Sequence, residues 1–113
     1  MTGREEVERI AMALPAATKV TLWGRKDVYK VCGKVFAIYD LEDGLSFRAT
    51  DIAYAVLTDA GPGRPAPGFI PGHWVAVALA EIEHEAAADW IATSYRLVTA
   101  GLTKKARAEI GLA

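Results

Sequence analysis

Cysteine is nearly missing from this 113-residue chain, and so is any long run of apolar residues. With Cys32 alone no internal disulfide can form, and the usage fits a reducing, cytoplasmic setting. No stretch approaches the roughly 20 apolar residues needed to span a bilayer. The charged start Met1-Thr2-Gly3-Arg4-Glu5-Glu6 leads into no apolar signal segment. Net charge is also scarce, since 13 lysines and arginines face 14 acids. The whole molecule therefore lacks the positive field by which many nucleic-acid binders recruit a polyanion, and any such activity must come from a local patch.

What is present suits a folded domain. An apolar fraction of 52% and a charged fraction of 24% are ordinary for globular proteins and far from the composition of disorder. The length predicts a single domain over residues 1–113 with one core. No internal repeat is visible.

The first helix is expected after Thr2, which has capping-box spacing to Glu5, with Val7, Ile10, Ala11 and Leu14 on one face and Pro15 as the stop. From Lys19 the period shortens to two. Strands are expected over 18–23, 28–32, 34–40 and 45–49, reversing at Gly33 and at Asp43-Gly44, where tight hairpins need positive φ. In the last of them Arg48 should point outward. Thr50 or Asp51 can cap a second helix whose Ile52, Ala53, Val56 and Leu57 should pack on the sheet. Residues 61–68, with three prolines and three glycines, read as a loop. A fifth strand over 74–79 should be covered on both faces or lie at a core seam. The last helix should begin near Glu81, bury Ala87, Trp90, Ile91, Ser94, Leu97 and Val98, and end at Gly101. A basic tail with Lys104, Lys105 and Arg107 has room for one more helical piece. The order α-β-β-β-β-α-β-α is α+β, an antiparallel sheet of about five strands backed by helices.

Each reactive pattern fails a test of completeness. The Gly/Pro loop lacks Gly-Lys-Ser/Thr, and its prolines have no N–H to offer a phosphate. Glu81, His84 and Glu85 share helical spacing, but no second ligand pair exists elsewhere, and acids in a first helical turn suit the dipole. Ser94 lies in a helical pattern without a nucleophile elbow, and Cys32 lies in a strand, so both read as packing residues. The chain therefore reads as a non-enzymatic binding protein with no catalytic residue, metal or cofactor.

Two binding surfaces stay open. Lys19, Arg25, Lys26, Lys30 and Lys34 fall on the first two strands and their turns against only Asp27, and with Arg48, Lys104 and Lys105 they could contact a phosphate backbone. Alternatively, Trp23, His73, Trp74 and Tyr95 could line a cleft near the Pro/Gly loop and the last helix for a small molecule or peptide. A third class, protein-interaction adaptor or homodimer, would need an exposed edge strand or apolar patch.

The runs Trp23-Gly24, Val31-Cys32-Gly33-Lys34-Val35-Phe36-Ala37, His73-Trp74-Val75-Ala76-Val77 and Ser94-Tyr95-Arg96-Leu97-Val98, in that order, resemble the MmcQ/YjbR family over almost the whole chain. The resemblance implies a frataxin-like fold of the CyaY type and DNA binding by a double wing of hairpins. On this chain the wings correspond to the turns around Gly24 to Lys26, Gly33-Lys34 and Asp43-Gly44, the last made acidic by Glu42 and Asp43. The frataxin likeness also raises iron binding by Glu5, Glu6 and Glu8, which serve equally well as dipole partners of a first helical turn.

Overall fold

The computed structural model describes residues 3–66 and 73–112. Helix α1 (Arg4–Met12) starts after Gly3, which offers no side-chain cap, so Gly3 and not Thr2 holds the N-cap position; Thr2 lies outside the described residues. Val7 and Ala11 are buried as the spacing predicts, and the helix ends three residues before Pro15, as the restriction on residues preceding proline favours.

Four strands follow as a meander: β1 (Ala17–Leu22), β2 (Lys26–Val31), β3 (Lys34–Asp40) and β4 (Gly44–Arg48). Trp23 (φ +53°) and Gly24 (φ +67°) turn the first hairpin, Cys32 (φ +50°) and Gly33 (φ +77°) the second. Cys32 is therefore an exposed turn residue and not a packed strand residue. Its side chain sits where the left-handed backbone favours glycine. At Gly44 (φ +88°) a Cβ would overlap the Val77 carbonyl oxygen, so strand β4 can start beside its neighbour only with glycine.

Helix α2 (Asp51–Asp59) is capped by Thr50, whose hydroxyl accepts from the Ala53 N–H at 3.2 Å. Its apolar stripe does not all reach the sheet. Ala53, Tyr54 and Leu57 are half-buried against the core, whereas Ile52 and Val56, one turn apart, are 79% and 63% exposed. The reason is what lies beneath: α2 packs on the short strands β5 (Gly63–Pro65) and β6 (Trp74–Val77) at the sheet's margin.

Strand β5 corrects the reading of 61–68 as loop alone. Among the described residues the sheet has six strands in the order β1-β2-β3-β4-β6-β5, all neighbours antiparallel. Pro65 is tolerated because β5 is an edge, where one side of the backbone needs no ladder partner. Residues 67 and 68 of that expected loop lie outside the described residues. Val75, Ala76 and Val77 of β6 are all buried, as a strand covered on both faces requires.

After β6 the chain makes a 3-10 turn (Leu79–Glu81) before α3 (His84–Ala100), which starts three residues later than its acidic prelude suggests. Gly101 ends it as expected. Leu97 is only half-buried, while Tyr95 and Thr99 join the buried face. The basic tail forms α4 (Lys104–Glu109), capped by the Thr103 hydroxyl.

The core lies between the sheet and α1 with α3. Cross-strand partners Tyr29, Ala37, Phe47 and Val75 form one row on the helix side. Phe36 meets Tyr95 edge-on at 5.3 Å, and Phe47 stacks on Trp90 at 5.0 Å and 10°. Tyr29 is fully buried with its hydroxyl unpartnered among the described residues, and burial pushes its phenol pKa up.

Two polar ties fix the helices. Arg4 makes a forked ion pair to the buried Asp27 (2.7 and 2.8 Å), which also accepts from the Thr21 hydroxyl at 2.8 Å. The Arg4 guanidinium holds the Asp27 carboxyl below its ordinary range.

The second tie is at a β-bulge. Tyr29 pairs with Ala37 but Lys30 with Val35, leaving Phe36 as the extra residue. The Ser94 hydroxyl donates to the Phe36 carbonyl at 2.6 Å and accepts from the Arg48 N–H at 2.9 Å. It replaces the next rung of the β3–β4 ladder.

Ser94→Ala strips partners from the buried Phe36 carbonyl and the part-buried Arg48 N–H and is expected to lower unfolding free energy by about 2 kcal/mol in denaturant titration. The Asp27 pair gives a pH signature. A carboxyl whose folded pKa is depressed contributes stability that is present above its unfolded pKa, near 4, and lost as pH falls through the lower folded value. Unfolding free energy should therefore drop below about pH 4, and Asp27→Asn should flatten that drop while weakening the fold at neutral pH.

Candidate nucleic-acid interface

The strands run so that the turns after β1 and β3 meet at one end of the sheet, where Leu41 N–H donates to the Arg25 carbonyl at 3.1 Å. The turn after β2, the end of β4 and the start of β6 lie at the other end. This polarity separates the eight cations that the sequence groups together.

At the first end, cations have acids. Arg25 pairs with Glu42 at 2.7 Å, and Lys26 lies 3.6 Å from Asp40 and 5.9 Å from the Trp23 ring centroid. Burial opposes ionisation of Asp40, yet the N–H groups of Glu42 and Asp43 together with Lys26 hold its carboxyl below the usual range. On the helix side, Lys19 pairs with Glu8. The Asp43 turn is itself engaged, its carbonyl accepting from Arg64 at 3.0 Å.

At the second end, Lys30, Lys34 and Arg48 have no carboxylate within ion-pair distance among the described residues. Lys34 and Arg48 line one cleft of about 330 Å³ together with Val35, Trp74, Val98 and Gly101. No acid lines it. Arg48 is exposed, as expected, and lies opposite Trp74 in the β4–β6 ladder. Lys104 and Lys105 begin α4 three and four residues after Gly101, so their backbone lies within about 11 to 14 Å of the cleft wall. Arg107 serves the fold instead, donating to the carbonyls of Thr99 (2.9 Å) and Leu112 (3.2 Å).

The four residues of the alternative cleft are not brought together. Trp23 is 77% exposed in the first-end turn. Tyr95 is buried in α3, its hydroxyl donating to the Pro15 carbonyl at 2.6 Å. His73 packs edge-on against Tyr54 at 5.1 Å with its Nδ1 3.3 Å from Asp51. Trp74 alone of the four lines the cationic cleft.

A separate cavity of about 240 Å³ lies between α2, α3 and the end of β4, walled by Phe47, Ala49, Ala53 and Trp90 with Asp89, Thr93 and Arg96 at its rim. Sequence reasoning missed it, although Trp90 and Thr93 at helical spacing were visible. Arg48 lines this cavity and the cationic cleft alike.

Of the acids raised for iron, Glu6 pairs with Arg9 and His84 and Glu8 with Lys19, while Glu5 is exposed. Among the described residues no three His, Cys, Asp or Glu side chains converge on a metal position. No helix among them is long and apolar enough to cross a membrane.

No curated protein matches this sequence. Among solved structures, the crystal structure of Deinococcus radiodurans protein DR2400, described as a DUF419 domain, is similar across 100% of this chain and 91% of its own. The TM-score is 0.79 at 28% identity. The YjbR family matches residues 12–97, from the last residue of α1 through all six strands and most of α3. The span includes Lys34, Arg48 and Ser94 and leaves out Lys104 and Lys105. This chain belongs to the YjbR family.

Proposed function

We propose that this is a small non-enzymatic binding protein that holds the phosphate backbone of nucleic acid at the second end of its sheet, not on the first-end hairpin turn. One observation carries this reading. Lys34 and Arg48 share a cleft that no acid lines, whereas Lys19, Arg25 and Lys26 each have a carboxylate partner. A cation already paired releases few counterions from a polyanion, because it must first give up its own partner; an unpaired one contributes fully. Lys30, Lys104 and Lys105 extend the positive rim, and Trp74 supplies an aromatic surface beside it.

The test is a salt titration of binding to an unstructured oligonucleotide and to a duplex. Lys34→Ala with Arg48→Ala should weaken binding at low salt and reduce the slope of log K against log salt by about 1.4 on single strands and about 1.8 on duplex. Arg25→Ala with Lys26→Ala should change that slope much less. Equal loss from both pairs would move the contact back to the hairpin turn, and a slope near zero for the unmodified protein would end the reading.

A second reading rests on the free edge. All of β1 after Ala17 is exposed, with Val20, Leu22 and the adjoining Trp23 among the exposed large apolar residues. Such an edge can pair with another strand, most simply that of a second copy. Sedimentation over a wide concentration range should then show a dimer that Val20→Lys shifts to monomer.

A further inference from the structure

The cavity between α2 and α3 adjoins the cationic cleft at one residue, Arg48, which lines both. We infer that this cavity accepts one unstacked base of a single-stranded nucleic acid whose adjoining phosphate sits at Arg48 and Lys34. The inference rests on the phosphate reading above and adds what that reading leaves open, the form of the nucleic acid.

Size is the first argument. At about 240 Å³ the cavity falls below the roughly 300 Å³ at which drug-sized pockets begin, so it suits a single ring system. Its lining is the second. Trp90 is half-buried, held in place by stacking on Phe47, and with Ala53 opposite on α2 it gives an apolar wall for a flat ring. The rim carries the groups a base edge needs. Asp89 accepts, Arg96 donates, and Thr93 can do both, its hydroxyl now accepting from Arg96 at 3.1 Å. A plain hydrocarbon would leave these unused.

Placement is the third argument. A base and its phosphate are joined by a few bonds, and here a ring-sized cavity and a cationic cleft share one lining residue, Arg48. A guanidinium can hold phosphate with its fork while its plane lies beside a base. Paired and stacked bases of a duplex cannot enter such a cavity without being turned out of the helix, which costs a few kcal/mol, whereas a single strand offers its bases freely.

The experiment compares four ligands by fluorescence anisotropy or calorimetry at one low salt concentration: a single-stranded oligonucleotide, an abasic strand of equal length and charge, the corresponding duplex, and a free mononucleotide. The single strand should bind at least about tenfold tighter than the abasic strand and than the duplex, in line with stacking of even one base. Ala53→Phe, which fills the cavity without altering charge, should bring the native strand down to the abasic strand's affinity while leaving abasic binding unchanged. Its fold is checked by circular dichroism, and the abasic comparison needs no variant at all.

If abasic and native strands bind equally while Lys34→Ala with Arg48→Ala weakens both, the cavity holds no base and the phosphate reading survives alone. If no strand binds at low salt but the mononucleotide does so in an Ala53→Phe-sensitive way, the site serves free nucleotides and both strand readings fall. Binding of neither strands nor mononucleotide overturns the inference together with the reading beneath it.

Discussion

The hydroxyl of Ser94 stands where a backbone rung would otherwise join β3 to β4, bonded to the Phe36 carbonyl on one side and the Arg48 N–H on the other. The extra residue at Phe36 makes this necessary, because a bulge leaves the ladder one group out of step and a buried carbonyl without a partner is costly. Supplying the partner from α3 pins that helix at its midpoint to the sheet. Everything at the second end is placed from this point. Trp90, one turn earlier, reaches Phe47; Val98, one turn later, lines the cationic cleft; Arg48, whose own N–H is held, lines both that cleft and the cavity beside Trp90.

Charge is distributed by the same polarity of the sheet. A near-zero net charge conceals an uneven molecule, in which the first end and the α1 side are filled with closed pairs and the second end keeps its cations open. Asp27, the acid of the first two strands, is taken by Arg4 from α1 and forms no ion pair with the strand cations. The Arg4 fork also docks the start of α1 to the turn after β1, its guanidinium donating to the Gly24 carbonyl at 3.0 Å. Buried carboxylates of this kind contribute position more than energy, since the gain of the pair is offset by the loss of water.

The hairpin turns show how a feature can be legible in identity and not in use. Gly33 and Gly44 mark their reversals because positive φ is a property of the residue itself, and Thr50 and Gly101 mark helix ends because capping is settled within one turn. The turn at Trp23-Gly24 looked like a wing carrying Arg25 and Lys26. Once folded it faces the β3–β4 turn, whose Glu42 and Asp40 occupy both cations.

The sequence by itself determined the α+β class, five of the described strands within a residue or two, the last helix and its stop, and the family to which the chain belongs, since all of these rest on periodicity, turn chemistry and short runs of residues. Strand β5 escaped notice because Gly63-Arg64-Pro65 has no strand propensity of its own and pairs only because β6 arrives beside it. The apolar stripe of α2 is legible as a stripe, but how much of it finds a partner depends on how far the sheet extends underneath. The burial of Ser94 is legible in the helical spacing and its place in the ladder is not, because the bulge lies 58 residues away. Above all, only the tertiary structure decided which cations remain open. Lys19 meets Glu8, Arg25 meets Glu42 and Lys26 meets Asp40 across separate elements, while Lys34 and Arg48 meet each other's cleft. An ion pair forms by proximity in space, and proximity between strands and helices is not written in the local pattern of either partner.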